Sequence, residues 1–360
     1  MRMRRVAWLV AFAALLGLSA FLMSRGDKPK KPERVLKAEF PRFPKPWEEE
    51  RNRKRRTLPP AAPKPGEEEG VQRKRDPLLV ALPTEKGKSS VVFEVSALKE
   101  SPIGQIWLDC MLDEQAENQR RGRGRDMFKE QFGIDLLKDV DRIAMSSSKV
   151  AILSVAEGAA KFDRSGWPKR SFGEKGAIWE DAAGRGVFAT WGDEIVLAGA
   201  NVKEIEAAIE RLESKSPSRE QTIPEWSVYG DIFGVISPEE LADMLPAEQG
   251  EIAARIRAAI DRVDLHVDTS EDVAIVADVN GSNPEEVRDL AKSMGAALSL
   301  ARAGAEDEGD DRLRELLDYA TIKPRDGRFT LDVALPLDVL KEMGPCRKRD
   351  AAPPSPASSQ

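Results

Sequence analysis

Histidine occurs once and cysteine twice in 360 residues, and that scarcity excludes a good deal. Cys110 and Cys346 cannot build a cysteine-rich zinc site. Any Ser-His or Cys-His pairing would have to run through His266. The chain also lacks a G-x-S-x-G elbow, a phosphate-binding loop, an H-E-x-x-H zinc helix and a dinucleotide fingerprint. No motif therefore calls for a cofactor. Spacing does not pair the two cysteines either. Cys110 follows Ile103, Ile106 and Trp107 at helical intervals, the pattern of a buried free thiol.

What the chain does have begins at its N-terminus. Arg2, Arg4 and Arg5 precede an uncharged apolar run over residues 6–23. As a helix, that run is about 27 Å long, enough to cross a bilayer core. Cleavage after Ala20 would put Leu18 where a small residue is needed, and Phe21, Leu22 and Met23 extend the run past the cut. No cysteine follows to carry a lipid. Residues 1–23 therefore read as a retained signal anchor that contacts lipid through residues 6–23, with secretion after cleavage as the alternative. Arg25, Lys28, Lys30, Lys31, Arg34 and Lys37 oppose export through the positive-inside tendency. A short cationic tail followed at once by an apolar run is nevertheless how an export signal is built.

Charge is unevenly divided. The whole chain carries −6, residues 24–78 carry +7 from 17 Lys+Arg and 10 Asp+Glu, and residues 79–360 carry −16. An acidic body argues against nucleic acid as a partner, since a positive surface would be needed. Residues 24–85 are rich in proline and charge and read as a disordered, semi-extended linker. Phe40, Phe43 and Trp47 read as scattered exposed aromatics there, with docking on a partner as the alternative. Residues 345–360 read as a disordered tail.

Between them the pattern predicts an α+β fold of two similar halves, 86–220 and 221–344. Each is an antiparallel sheet with helices on one face. SVVFEV opens the first half as a strand, and SPIGQIWLDCML follows as a helix with Ser101 as cap and Pro102 in the first turn. Strands DRIAMSS, KVAILSV, GAIWED, GVFATW and EIVLAG come next, the last two joined at Gly192-Asp193. NVKEIEAAIERLES closes the half, capped by Asn201 with an apolar stripe of Val202, Ile205, Ile209 and Leu212. The second half runs in the same order: a strand, a Ser237-Pro238 helix start, and a helix with Ile252, Ile256, Ala259 and Ile260 on one side. VDLHVDT and DVAIVADV follow as strands, then a helix striped by Val287, Leu290, Ala291, Met294 and Leu298, then a hairpin turned at Asp326-Gly327. Recurrent Ser-Pro pairs (101–102, 237–238) and Asp-Arg pairs (141–142, 261–262) suggest internal duplication.

The stretch FGIDLLKDVDRIAM, residues 132–145, resembles a segment of uncharacterised membrane-anchored bacterial envelope proteins, a domain of unknown function. That resemblance covers some fourteen residues and brings no catalytic residue. It implies a bacterial envelope address, so the expected location is the inner membrane, single-pass, with the C-terminal body in the periplasm.

Four groups of residues invite chemistry. Asp264, His266 and Asp268 alternate onto one face of VDLHVDT and include the ligand types for a divalent metal. On a straight strand, however, the outer two lie about 13 Å apart at Cα, so a solvated sheet face is the preferred reading. Asp135, Asp139 and Asp141 contain calcium-type carboxylates but no calcium-loop spacing. AEDEGDDRLREL, 305–316, reads as a charged loop with a helix cap rather than a calcium site. Arg120, Arg121, Arg123 and Arg125, in RRGRGR, form the best candidate anion site on an acidic body, weighed against an exposed helix break. These features together suggest a non-enzymatic, membrane-anchored envelope protein for binding or scaffolding, with a protein or cell-wall partner. The alternative is a carboxylate-dependent hydrolase of cell-wall polymer or glycan, which needs no motif.

Overall fold

The structure, a computed structural model, describes residues 37–55, 57–59, 75–85, 87–106, 133–160, 167–181, 186–214, 221–245, 250–307 and 311–343. The apolar run 6–23, the RRGRGR stretch with Arg120, Arg121, Arg123 and Arg125, both cysteines and the C-terminal tail lie outside these residues. Among the described residues no helix is long and apolar enough to cross a membrane.

Alternating apolar residues over short runs make strands, and twelve of them join into one antiparallel sheet. The first half supplies β1 (Ser90–Glu94), β2 (Val140–Ser146), β3 (Val150–Val155) and β4 (Lys169–Phe172). It also supplies β5 (Gly176–Glu180), β6 (Val187–Trp191) and β7 (Ile195–Gly199). The second half supplies β8 (Ile232–Ile236), β9 (Arg262–Asp268), β10 (Val273–Asn280), β11 (Ala320–Arg325) and β12 (Arg328–Leu335). The order across the sheet is β11-β12-β10-β9-β8-β1-β2-β3-β7-β6-β5-β4. Outward from the central β8–β1 seam, each side runs through three strands in chain order and then a returning hairpin. The first half adds β4 and β5 beyond it.

The pairing registers align one residue per strand into a continuous row. From β5 to β8 it reads Ile178, Ala189, Leu197, Ile152, Ala144, Val92 and Phe233, all buried. Across β9, β10, β12 and β11 it continues as His266, Val276, Asp332 and Thr321. One face of the sheet thus turns from apolar to polar where the first half meets the second.

The main helices of the two halves pack on opposite faces of the shared sheet. Asn201 caps the helix α4 (Val202–Glu213) by accepting from the Lys203 N–H. Its Ile205, Ile209 and Leu212 pack on the apolar part of the row, against Ile152, Ile178 and Leu197. The opposite face, carrying Leu265, Val267 and Ile275, packs under α5 (Pro238–Asp243), α6 (Gly250–Ala259) and α7 (Pro284–Asp307). Ser237 caps α5 with Pro238 in its first turn, and just after α3 (Val95–Glu100) Ser101 Oγ accepts from Gly104 N–H where residues 102–106 are helical. The α6 stripe is rotated from its expected position: Ala253, Ile256 and Ala259 are buried, and Ile252 is 46% exposed. The two sequence-marked turns are present, with Gly192 and Gly327 at φ +61° and +67°.

Two stretches of the expected linker belong to the body. Residues 37–55 include a helix, α1 (Pro46–Lys54). The apolar stretch spanning α2 (Pro77–Val80), Ala81 and Leu82 is buried in the core against α4. An apolar run this short has neither helical nor strand periodicity, so its surroundings of proline and charge concealed it.

The seam between the halves depends on close backbone approach. A Cβ at Gly234 would lie 2.3 Å from Ser90 O and 2.7 Å from Val91 Cα. We expect Gly234→Ala to cost about 1–3 kcal/mol as an overpacking change. Because both halves share one sheet, urea unfolding followed by fluorescence should stay a single transition at a lower midpoint. Two resolved transitions in the native chain would contradict the shared sheet.

Candidate functional site

Apart from Thr321 on the edge strand, the polar part of the row is buried, contrary to the expectation of a hydrated sheet face. His266 is 1% exposed and Asp332 0%, and Asp264, Asp268 and Thr330 are buried with them. Ionised groups so placed need partners, because an unpaired buried charge is strongly destabilising. Part of the solution is remote in sequence: residues 37–55 lie over this face as a strap. Arg42 Nη2 donates to both carboxylate oxygens of Asp332 at 2.6 and 2.5 Å, and Lys323 reaches the same carboxylate at 2.8 Å. Lys45 Nζ donates to Asp268 Oδ2. Although burial opposes its charge, this hydrogen bond and attraction raise the Lys45 pKa above the ordinary lysine value.

Pro41, Pro44 and Pro46 alternate with these cations. Each proline fixes φ near −65°, so the segment loses less freedom when it is laid down. The helix α1 then continues the contact. Glu48 is buried and accepts from Gly230 N–H at 2.8 Å, and Asn52 donates to Val228 O at 3.0 Å. Burial raises the Glu48 pKa despite its two backbone N–H donors.

The strap ends in a second charged cluster. Arg55 Nη2 donates to both oxygens of the fully buried Glu94 at 2.6 Å, and Arg51 lies 3.7 Å from it. Arg142 donates to Asp76 at 2.5 and 3.0 Å. Burial works against the Asp76 charge, but Arg142 outweighs it and holds the pKa below the ordinary carboxylate value. Desolvation and the neighbouring Arg142 depress the Arg55 pKa. Beside this cluster lies a half-open cleft of about 360 Å³. Arg55, Lys99, Lys138, Asp139, Asp141, Arg142 and Glu194 contribute to its lining. The cleft is thus built where the strap leaves the body, on the ends of β2, β3 and β7, and it takes in residues 138–142 of the FGIDLLKDVDRIAM stretch.

The sequence-marked trio is buried but does not converge. Asp264 accepts from Arg262 and from Asn280 at 3.0 Å. Asp268 accepts from Lys45 and from the Ser270 N–H at 2.9 Å. His266 stacks on Tyr229 with centroids 3.8 Å apart, and its ring nitrogens meet Ser227 Oγ and Tyr229 O, both at 3.2 Å. Among the described residues no three of His, Cys, Asp and Glu are grouped to hold a metal ion. Asp135 and Asp139 close a turn: Asp139 accepts from Asp135 N–H at 2.8 Å, and Asp135 from Leu137 N–H at 3.1 Å. Residues 308–310 of the acidic loop lie outside the described residues.

Arg42, Lys45, Arg55, Asp76, Glu94 and Asp332 were not singled out by sequence reasoning. The available signal was the proline–cation alternation from 41 to 46, which lay within the stretch read as a disordered linker. Compared with protein-family models, curated proteins and solved structures, the chain matches none.

Two outcomes follow. Arg42→Ala leaves Asp332 buried with only Lys323, and should cost about 2–3 kcal/mol in urea unfolding. Arg42→Met combined with Asp332→Leu should recover most of that loss, whereas additive losses would contradict a direct pair. Burial lowers the His266 pKa below the ordinary imidazole value, against the pull of the Tyr229 carbonyl, Asp264 and Asp278. Its neutral form therefore stabilises the fold above the unfolded value of about 6.5, and that stability is lost as pH falls toward the depressed folded value. His266→Asn should flatten the stability profile between pH 7.5 and 5.5, and an unchanged slope would contradict the assignment.

Proposed function

We propose that the chain is a non-enzymatic envelope protein for binding or scaffolding, anchored in the bacterial inner membrane by residues 6–23 with its body in the periplasm. Its body is a duplicated α+β unit, a reading supported by the matching strand order on either side of β8 and β1. The observation that carries the proposal is the strap. Arg42–Asp332, Lys45–Asp268 and Arg55–Glu94 fasten the segment that follows the apolar run directly onto the sheet. A chain so fastened keeps its body within the short reach of residues 24–36 from its anchor, which suits a scaffold. The resemblance carried by residues 132–145 agrees with this address, and part of that stretch lines the cleft.

The cleft is the proposed contact for a protein or cell-wall partner. Its charges of both signs suit a ligand carrying both, such as a peptide or an amino-acid-bearing wall polymer. Hydrolysis by paired carboxylates is less well supported there. A glycosidase needs one carboxyl to give up a proton and another to act as base or nucleophile. Here Asp139 holds the Asp135 N–H, and Asp141 takes the Ser96 hydroxyl and lies 3.6 Å from Arg142.

A photo-crosslinking amino acid at Lys99, in the full chain in its own membranes, tests this reading. We expect a discrete adduct whose yield falls when Lys138→Glu is added. Release of reducing ends from wall polymer by the purified chain, lost on Asp141→Asn, would instead establish the hydrolase.

A further inference from the structure

We infer that the outer side of the strap, led by Phe43 and Trp47, lies in the headgroup layer of the membrane that holds residues 6–23. The inference rests on the anchor proposed above and adds a lipid contact made by the folded body itself.

Phe43 is 80% exposed and Trp47 60%. Single exposed aromatics are ordinary on protein surfaces, but these two have an unusual setting. Their neighbours Arg42 and Lys45 reach inward to Asp332 and Asp268, so the strap is fastened to the body while both rings remain outside. Only residues 24–36 separate the apolar run from the strap. Fully extended, they span about 45 Å at most, so Phe43 and Trp47 stay within reach of the bilayer surface. An indole, with its apolar ring and polar N–H, collects at that depth, and Phe43 adds exposed apolar area beside it. The Lys45 ammonium, 5.0 Å from the Trp47 ring centroid on its inner side, ties the indole to the clamped part of the strap.

Charge sets which side faces the lipid. Residues 24–36 carry Arg25, Lys28, Lys30, Lys31 and Arg34 against Asp27 and Glu33, and a basic run beside an apolar segment is drawn to anionic headgroups. The body beyond residue 78, at −16, is repelled by the same surface. The strap side therefore approaches and the bulk of the acidic body turns away.

The test uses the full chain in vesicles containing a minority of phosphatidylglycerol, with acyl chains brominated near the headgroup. Comparison of the native chain with Trp47→Phe isolates the emission of Trp47, because the other six tryptophans contribute equally to both. We expect bromination to quench Trp47 emission roughly twofold, with weaker quenching in purely zwitterionic vesicles and after Phe43→Ser. Equal Trp47 emission with and without bromine would overturn the inference, and shielding from aqueous iodide in that case would mean that a second copy covers the ring. A carbonate wash scores the anchor separately. Retention without quenching removes only the docking, whereas release of the chain removes the anchor and the docking together.

Discussion

The interaction on which the rest depends is the charge-assisted clamp between the strap and the polar half of the sheet. A sheet face carrying Asp268 and Asp332 cannot be buried without cations, and burial of an unpaired carboxylate costs several kcal/mol. Arg42 and Lys45 supply those cations from a segment with few apolar residues of its own. Neither part is stable in this form alone. The strap has little hydrophobic area to hold it down, and without it Asp332 and Asp268 each lose a cationic partner. Their mutual need makes residues 37–55 part of the fold.

The same constraint explains the one histidine. His266 occupies the row position where the face changes from Phe233 to Asp332. It meets Tyr229 through its ring face and edge, so it fills space as an apolar residue would and satisfies its nitrogens locally. The burial that depresses its pKa also pushes that of Tyr229 up to about 12. Together these residues form the border between a hydrophobic core and a core held by ions.

Much of the strand pattern was legible because two-residue alternation and turn glycines are local signals. DRIAMSS, KVAILSV, VDLHVDT and DVAIVADV all form strands, and the turns at Gly192 and Gly327 stand where turn chemistry places them. The α4 stripe and the Ser237 cap were legible for the same reason. What failed was the step from polarity to solvent. VDLHVDT alternates correctly, yet its polar side is buried because Lys45 lies 223 residues from Asp268 and Arg42 lies 290 from Asp332. No local window holds both members of such a pair. The cleft was hidden similarly, since Arg55, Lys99 and Arg142 meet only when the strap is laid down. The expected linker of residues 24–85 thereby loses residues 37–55 and 75–85, with the segment between them described at 57–59, to the folded body.

The most direct test of the clamp is amide hydrogen exchange in the full chain. The account predicts that Gly230 N–H, which donates to Glu48, and the amides inside α1 exchange as slowly as those of β9 and β10. That protection should vanish together with sheet protection as urea is raised. Exchange of α1 and Gly230 at unfolded-chain rates, while the sheet stays protected, would show the strap free of the body and contradict the account.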